Sequence, residues 1–363
     1  MNLKQKAVLS MIALAASAGA QAQSNVTLYG VIDTGIEYAN NQPGGGHDVV
    51  RLTTANVAGS RWGLRGVEDL GGGLKGLFVL ESGFESDTGK SSQGGRLFGR
   101  AAYVGLKNEW GEVLIGRQNG PIFDVAGSID PMFIVPRYSL LAQDAQFAAR
   151  ADNTIKYVGA FGPVKTSAMY SFGADSGKVG GSEVPGQPKL GREFGGNIVY
   201  SANNLSITAA YDELNSGTVT VTPDATTRRA TLAGTYAFGK ATVYAGYRWG
   251  KAYGGALLPG APAQSNQRSN LWWTGARWNV VGALTLAAAA YYQDFSGTNA
   301  DPWLFVGSAD YEFSKRTDAY LTVGYAKNRH GSNLGIGSGS WGFGTVQPGA
   351  NQVGVVVGLR HKF

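Results

Sequence analysis

The most restrictive feature of this sequence is a strict alternation of apolar and polar residues that recurs along most of the chain. In segment 240–249, one face carries Ala241, Val243, Ala245, Tyr247 and Trp249, and segments 317–327 and 353–363 divide in the same way. A period of two residues places successive side chains on opposite faces of an extended chain. Each segment is therefore predicted to be a β-strand, and the fold is predicted to be all-β.

About sixteen such segments follow one another, and the connections between them alternate in length. Short turns occur at 69–73, 108–110 and 161–163. Long stretches rich in Gly, Ser, Asn and Pro lie at 40–59, 120–152, 174–191, 251–267 and 329–350. This pattern is typical of an up-and-down antiparallel meander with tight turns at one end and loops at the other. An even strand count places both termini at the short-turn end.

Composition helps to decide whether the apolar face is a soluble core or a wall that faces lipid. Only 15% of the residues are charged, against roughly 25% in soluble domains. The polar face is rich in Gly, Thr, Ser, Tyr and Arg, and aromatic residues collect near strand ends, at Trp249, Trp272, Trp273, Trp278, Tyr291, Tyr292, Trp303, Phe313 and Phe363. Aromatic belts indicate a closed transmembrane β-barrel, which has no open edges in lipid. An extracytoplasmic soluble sheet is the alternative.

The first 22 residues have the features of a secretory signal peptide. Lys4 and Lys6 precede an apolar run over 7–20, and Ala20-Gln21-Ala22 forms a small-residue cleavage site. The run is shorter than the roughly 20 residues of a membrane-spanning helix. The expected organisation is a signal peptide at 1–22 and an outer-membrane β-barrel at 23–363.

Several kinds of chemistry are poorly represented in this sequence. It has no Cys and only 3 His, of which His47 and His330 fall in predicted loops and His361 in the last strand. Metal sites, cofactors and an enzymatic activity are therefore not expected. The net charge of +6 includes two lysines of the predicted signal peptide. The positive charge that remains is too small to indicate a nucleic-acid partner. Asp310 and Glu312 share the polar face of one strand and are predicted to be lumen charges.

Five blocks in order along the chain resemble the Gram-negative general-diffusion porins of the betaproteobacterial type. They are Ser24-Asn25-Val26-Thr27-Leu28-Tyr29-Gly30-Val31-Ile32-Asp33, the Gly-rich block at 59–76, the blocks at 100–107 and 111–118, and the ending Val357-Gly358-Leu359-Arg360-His361-Lys362-Phe363. The resemblance implies a sixteen-stranded antiparallel transmembrane β-barrel in the outer membrane. It also implies a homotrimer, in which the third external loop of each barrel folds into the lumen.

Residues 120–152 correspond to that loop, and we refer to them as the constriction loop. The segment is unusually long and contains apolar residues, among them Phe123 and Leu141, that a solvated loop does not need. By resemblance, Arg61, Arg100 and Arg150 lie at the wall positions that face the loop, and Asp124 and Asp130 are candidates for the opposing acids of a pore constriction. The alternative is that the three arginines are ordinary lumen or rim charges.

The function expected from these features is a water-filled channel for passive diffusion of small hydrophilic solutes and ions, with a mild preference for anions because bases outnumber acids. A substrate-specific outer-membrane barrel transporter is the main alternative, and a barrel enzyme or adhesin is another. The expected partners are outer-membrane lipid, two further copies of the chain, and the barrel-assembly machinery, which by resemblance recognises Phe363. Glycines of the early strands are expected to allow close packing of neighbouring barrels, namely Gly30, Gly35, Gly63, Gly66, Gly76 and Gly105.

Overall fold

The computed structural model describes residues 25–173, 183–218, 222–338 and 341–363, and these consist mainly of antiparallel strands. The strands are β1 (Asn25–Ala39), β2 (Val49–Thr54), β3 (Arg61–Gly71), β4 (Leu74–Gly83), β5 (Ala101–Asn108), β6 (Gly111–Asn119), β7 (Arg150–Phe161), β8 (Val164–Ser171), β9 (Glu193–Ala202), β10 (Leu205–Asn215), β11 (Thr226–Phe238), β12 (Ala241–Tyr253), β13 (Arg268–Val281), β14 (Leu284–Phe295), β15 (Trp303–Glu312), β16 (Thr317–Lys327), β17 (Leu334–Ser338), β18 (Trp341–Phe343) and β19 (Gln352–Lys362). Two helices, α1 (Pro121–Ile129) and α2 (Leu140–Gln143), lie in the constriction loop, and short 3-10 turns occur at Gln93–Gly95 and Ala145–Ala148.

Two of the sequence predictions concern residues outside these ranges. The predicted signal peptide at 1–22 lies wholly outside them, and the predicted loop at 174–191 lies partly outside. Within the described ranges, no helix is both long enough and apolar enough to cross a membrane.

The sheet closes on itself because the first and last strands pair. β1 and β19 are antiparallel, from Val31 opposite Lys362 to Ala39 opposite Gly354. The other edge of β1 pairs with β3 in its first half and with β2 in its second half, so β2 and β3 form one wall strand with an interruption at 55–60. The wall is therefore a closed, all-antiparallel barrel of 16 strands, as predicted. β17 and β18 form a separate hairpin within the last long connection.

The interruption at 55–60 has a local cause in the polar chemistry of Asp33. This carboxylate points into the barrel and accepts hydrogen bonds from the backbone N–H groups of Val57 and Ala58, at 2.7 and 2.6 Å. The Tyr320 hydroxyl donates to the same carboxylate at 2.6 Å. The segment folds over a buried acid and satisfies it, which removes these residues from the ladder of strand hydrogen bonds.

The two faces of the strands have the predicted polarity. On β19, Val357 and Leu359 are 55% and 58% exposed, whereas Val356, which precedes Val357, is fully buried. On β1, Ile36 faces outward, and Asp33 and Glu37 face inward and are fully buried. The apolar residues therefore cover the outside of the barrel, where an outer-membrane barrel meets lipid. Short turns join the strands at the end that holds Asn25 and Phe363, and the long connections lie at the other end.

The expectation for the early glycines is wrong for Gly35, Gly63 and Gly105, because strand register turns these residues toward the lumen. Gly63 pairs with the inward residue Tyr29, and a Cβ atom built on Gly63 would lie 2.8 Å from the tyrosine ring. Gly105 pairs with Leu114, which is buried inside the barrel. These glycines make room for side chains of the neighbouring strand and cannot contact a second barrel.

Gly30 and Gly66 do face outward, but aromatic rings of the same chain cover them. The Phe363 ring lies over Gly30 and the Phe78 ring over Gly66, so closely that a Cβ atom at either glycine would overlap the ring. Phe363 also closes the barrel through its backbone, since its N–H donates to the Gly30 carbonyl at 3.0 Å and its carbonyl accepts from the Gly30 N–H at 2.9 Å. Phe363 thus completes the pairing of β1 with β19, which we call the seam, through both its backbone and its side chain.

We predict that Phe363→Ala lowers the free energy of unfolding of the refolded protein by roughly 1–2 kcal/mol, because a half-buried aromatic ring leaves its glycine partner. Phe313→Ala is the matched control, since Phe313 lies in a turn at the same end and is 63% exposed against 44% for Phe363. The measurement is urea unfolding in detergent, followed by tryptophan fluorescence. Equal losses for the two variants would contradict the proposed contribution of the seam.

Candidate pore constriction

The constriction loop folds into the barrel, and polar groups of the inner wall hold it at both ends and in the middle. Its contacts are made with six different wall strands: Glu37 with Arg137 (3.1 Å), Lys156 with Asp124 (2.7 Å), Asn197 with the Pro121 carbonyl (2.8 Å), Arg248 with Asp144 (3.0 Å), Trp273 with the Ile129 carbonyl (2.8 Å) and Tyr291 with Asp130 (2.5 Å). The loop therefore crosses the lumen and narrows it. The predicted packing of the loop against the wall is confirmed.

Apolar contacts add to this attachment. Ile122, Val125 and Ile129 lie on one side of α1 and are buried with wall residues such as Leu271 and Trp273. An amphipathic helix inside a barrel buries its apolar side against the wall and keeps the lumen open beside it. The Pro121 ring at the first helical position has no N–H to satisfy, which suits the start of α1.

Asp130 does not face the lumen, in contrast to the expectation for an opposing acid. Its side chain is fully buried between the loop and the wall. The carboxylate accepts hydrogen bonds from the Tyr291 hydroxyl and from the backbone N–H groups of Met132 and Ile134, at 3.2 and 2.8 Å. Burial raises the pKa of Asp130, and these hydrogen bonds oppose the rise. The residue holds the turn after α1 in place.

Asp124 also points to the wall and away from the three predicted arginines. Its carboxylate accepts a hydrogen bond from Lys156 at 2.7 Å and one from the Ser167 hydroxyl at 3.3 Å. Burial raises the pKa of Asp124, and the Lys156 ammonium group opposes this shift. Asp124 therefore acts in this structure as an attachment of α1 to β7 and β8.

The acid that meets the predicted arginines is Glu81, which sequence reasoning did not select. Arg100 Nε lies 2.6 Å from Glu81 Oε1, and Arg61 Nε lies 3.6 Å from Glu81 Oε2. The Tyr29 hydroxyl donates to the same carboxylate at 3.0 Å. Glu81 pairs across strands with Gly63, an inward position, so the alternation of β3 and β4 contained the signal that could have identified it.

A second acid, Asp152, holds two further arginines beside this group. Arg96 and Arg117 contact its carboxylate oxygens at 2.8 and 2.7 Å. Arg96 precedes β5 and is not within a strand. Arg150 lies over the Phe123 ring at 4.8 Å and forms no ion pair with any described residue. Arg61, Arg96, Arg100, Arg117 and Arg150 are called the arginine cluster below.

The arginine cluster borders a water-accessible space of about 1250 Å³ between the wall and the loop. Six arginines line this space together with the carboxylates of Glu85, Asp152 and Glu193, and Glu81, which is paired with Arg61 and Arg100, is a fourth, so the excess is two positive charges. The loop presents mainly apolar side chains to it, including Phe123, Phe133, Ile134 and Val135. The three predicted arginines therefore share one region of the lumen, but the loop side opposite them is apolar rather than acidic.

A further group of lumen charges, on β15, β16 and β19, is paired. Arg360 lies 3.2 Å from Asp310 and 2.9 Å from Asp318, which confirms that Asp310 is a lumen charge matched by a base. Across the described ranges, no three His, Asp or Glu side chains come close enough to hold a metal ion.

The chain is similar to proteins of one family over nearly its whole length. A family model described as Gram-negative porin matches residues 8–331. An outer membrane porin protein of Bordetella pertussis is 32% identical, and the match covers 99% of this chain and 100% of that protein. Outer membrane porin protein 32 of Delftia acidovorans is 31% identical with the same coverage.

A solved structure agrees with the sequence relatives. The anion-selective porin from Comamonas acidovorans superimposes with a TM-score of 0.79 and 28% sequence identity, covering 94% of this chain and 100% of that one. A closed barrel of 16 strands, an infolded loop and these matches together lead to one assignment: this chain belongs to the Gram-negative porin family of outer-membrane proteins.

Proposed function

We propose that this general-diffusion porin selects weakly for anions at the arginine cluster and passes small hydrophilic solutes without chemical specificity. The observation that carries the proposal is the excess of two positive charges around the space beside the loop. Charges in a narrow lumen with low-dielectric walls are screened less than charges in bulk water, so they raise the local concentration of anions. The similar porin from Comamonas acidovorans is described as anion-selective, which supports this assignment.

The position of the loop acids strengthens the proposed preference. If Asp124 and Asp130 faced the arginines, an anion would meet attraction and repulsion at the same level of the pore. Their carboxylates are instead turned to Lys156 and Tyr291 at the wall. An anion that passes the arginine cluster therefore meets apolar loop side chains and four wall acids, of which Glu81 and Asp152 are already paired with arginines and Glu85 and Glu193 are the other two.

The alternative of a substrate-specific transporter is not favoured by these features. Specific recognition requires a small number of placed polar groups around a mostly enclosed site. The space beside the loop combines paired arginines with apolar loop residues, an arrangement that attracts charge without defining a shape. The relatives are porins, a class of channels, and we propose that this chain likewise has no enzymatic activity.

We predict that Arg61→Gln combined with Arg100→Gln shifts the zero-current potential in a salt gradient toward cation preference. The two substitutions leave Glu81 without either arginine partner, so a net positive group becomes a net negative one. The shift shrinks at 1 M salt, where the screening length is about 3 Å. Planar-bilayer recordings at low and high salt provide the measurement.

Lys315→Gln combined with Arg316→Gln is the control, because it removes the same charge from an exposed turn at the other end of the barrel. We expect its zero-current potential to stay near the wild-type value. If the Arg61 and Arg100 variant also keeps the wild-type potential at low salt, these arginines are rim charges and the proposed constriction is wrong.

We also propose that the protein assembles as a homotrimer through the outer face of the early strands. The outward residues there are largely aliphatic, such as Leu28, Ile36 and Val104, with more than half of each side chain exposed in the single barrel. The outer face of β12–β15 is aromatic instead and suits the lipid interface. An aliphatic face fits packing against another barrel.

Unheated detergent electrophoresis should therefore show a trimer-sized band that becomes a monomer on boiling. Leu28→Asp should abolish this band, because it places a charge in the proposed contact. Leu232→Asp is the control on the opposite wall, since the two leucines are 59% and 57% exposed. A wild-type monomer in mild detergent, or loss of the trimer in both variants alike, would argue against this interface.

Finally, we propose that the barrel-assembly machinery recognises the last strand through Phe363, which is exposed at its end on the same outward face as Leu359. Deleting Phe363 should lower the amount of folded protein in the outer membrane several-fold, while export across the inner membrane continues. The measurement is fractionation with heat-dependent mobility on gels. A normal amount of folded protein after the deletion would show that Phe363 contributes only to the pairing of β1 with β19 and is not the recognition signal.

A further inference from the structure

One short stretch of the constriction loop bridges the lumen and is held by the wall at both ends. At one end, the Pro131 carbonyl accepts a hydrogen bond from Arg277 on β13 at 3.0 Å. The proline ring also packs so closely on Gly275 that a Cβ atom there would lie 2.5 Å from it. At the other end, Arg137 forms an ion pair with β1. Four strands separate β13 from β1 in the wall, so residues 131–137 cross the barrel, and we call them the bridge segment.

The bridge segment presents one apolar side chain to the lumen. Phe133 is the one exposed residue between Ile129 and Asp144, all of which the structure describes. It is 50% exposed and borders the same space as the arginine cluster. Contact with water is unfavourable for an apolar ring, and the rest of this stretch is buried or half-buried. The exposure of Phe133 therefore points to a role in the lumen and not in packing.

The backbone that presents Phe133 is strained. The φ angle is 56° at Phe133 and 48° at Ile134, in the left-handed region that bulky and β-branched residues rarely adopt. Asp130 holds both residues there, because its carbonyl accepts from the Phe133 N–H at 3.0 Å and its carboxylate accepts from the Ile134 N–H at 2.8 Å. The Tyr291 hydroxyl fixes that carboxylate in turn. Strain that neighbouring contacts maintain is typical of functional positions.

The wall also fixes the ring itself. The guanidinium carbon of Arg277 lies 4.0 Å from the centre of the Phe133 ring, which is a cation–π contact. The same arginine donates to the Pro131 carbonyl. One wall side chain therefore holds both the start of the bridge segment and the ring that projects from it, so the ring stays in the lumen.

We propose that Phe133 determines the effective width and the water content of the pore beside the arginine cluster, and that Tyr291 and Arg277 act through it as positioning residues. The inference rests on the proposed diffusion channel. A phenyl ring occupies cross-section that hydrated ions would otherwise use and offers them no hydrogen bond, and apolar constrictions limit conduction in this way. Because the ring carries no charge, it limits the size of the solute, while the arginines determine the sign of the preferred ion.

The test measures single-channel conductance in planar bilayers and the size limit for neutral sugars in liposome swelling. Phe133→Ala should raise the conductance about 1.5-fold or more and admit larger sugars, because the ring leaves the pore. Phe133→Leu should give an intermediate conductance, and Phe133→Tyr, which keeps the ring, should stay near the wild type. Phe172→Ala is the matched control, since Phe172 is 49% exposed and packs on the Tyr170 ring outside the barrel. Wild-type conductance of both the Ala and the Leu variant at position 133, or an equal increase for Phe172→Ala, would overturn the proposal.

The role of Tyr291 is tested with a second substitution. Tyr291→Phe removes the hydroxyl that fixes Asp130, so it should increase the open-channel current noise of the otherwise wild-type protein. It should not do so together with Phe133→Ala, because a positioning residue has no effect once the ring is absent. An equal increase in both backgrounds would overturn this role.

Ion selectivity, recorded on the same membranes, separates this inference from the proposed function. Phe133→Ala should keep the wild-type zero-current potential, because it changes no charge. A wild-type channel without anion preference would refute the proposed selectivity, whereas a higher conductance of Phe133→Ala would still support the role of Phe133.

Discussion

A backbone amide or carbonyl that faces hydrocarbon has no water to bond with, and this constraint determines the rest of the structure. Sixteen strands satisfy it only if the first and last strands pair. The seam depends on the chain end itself, because Phe363 exchanges two backbone hydrogen bonds with Gly30 and covers that glycine with its ring. A closed wall then turns every second residue to an enclosed lumen, so charged side chains can be clustered there.

The loop uses the enclosed side of that wall. Its helix buries apolar residues against the strands, while Asp124 and Asp130 meet Lys156 and Tyr291. Satisfying these acids at the wall leaves the opposite side of the loop apolar where it meets the arginine cluster. The same contacts that hold the loop therefore also determine the charge of the pore, since acids used for attachment no longer offset the arginines.

Strand number, facing and turn lengths could be predicted because a period of two residues is a local property of the sequence. The grouping of Arg61, Arg100 and Arg150 followed from a resemblance, and the structure brings them to one region of the lumen. The partners of Asp130 could not be predicted, because Tyr291 lies 161 residues away and only the path of the loop brings them together. The orientation of Gly63 and Gly105 was predicted wrongly because only the small size of glycine was considered. Their pairing with Tyr29 and Leu114 determines that they face the lumen.

The central claim is that arginines in excess over their partner acids beside the loop make the open channel prefer anions. The most direct test is the zero-current potential of the wild-type protein in a planar bilayer with a tenfold potassium chloride gradient at low ionic strength. The account predicts a potential whose sign corresponds to chloride being more permeant than potassium, and a smaller magnitude when both solutions are concentrated. A potential near zero, or one with the sign of potassium preference, would contradict it.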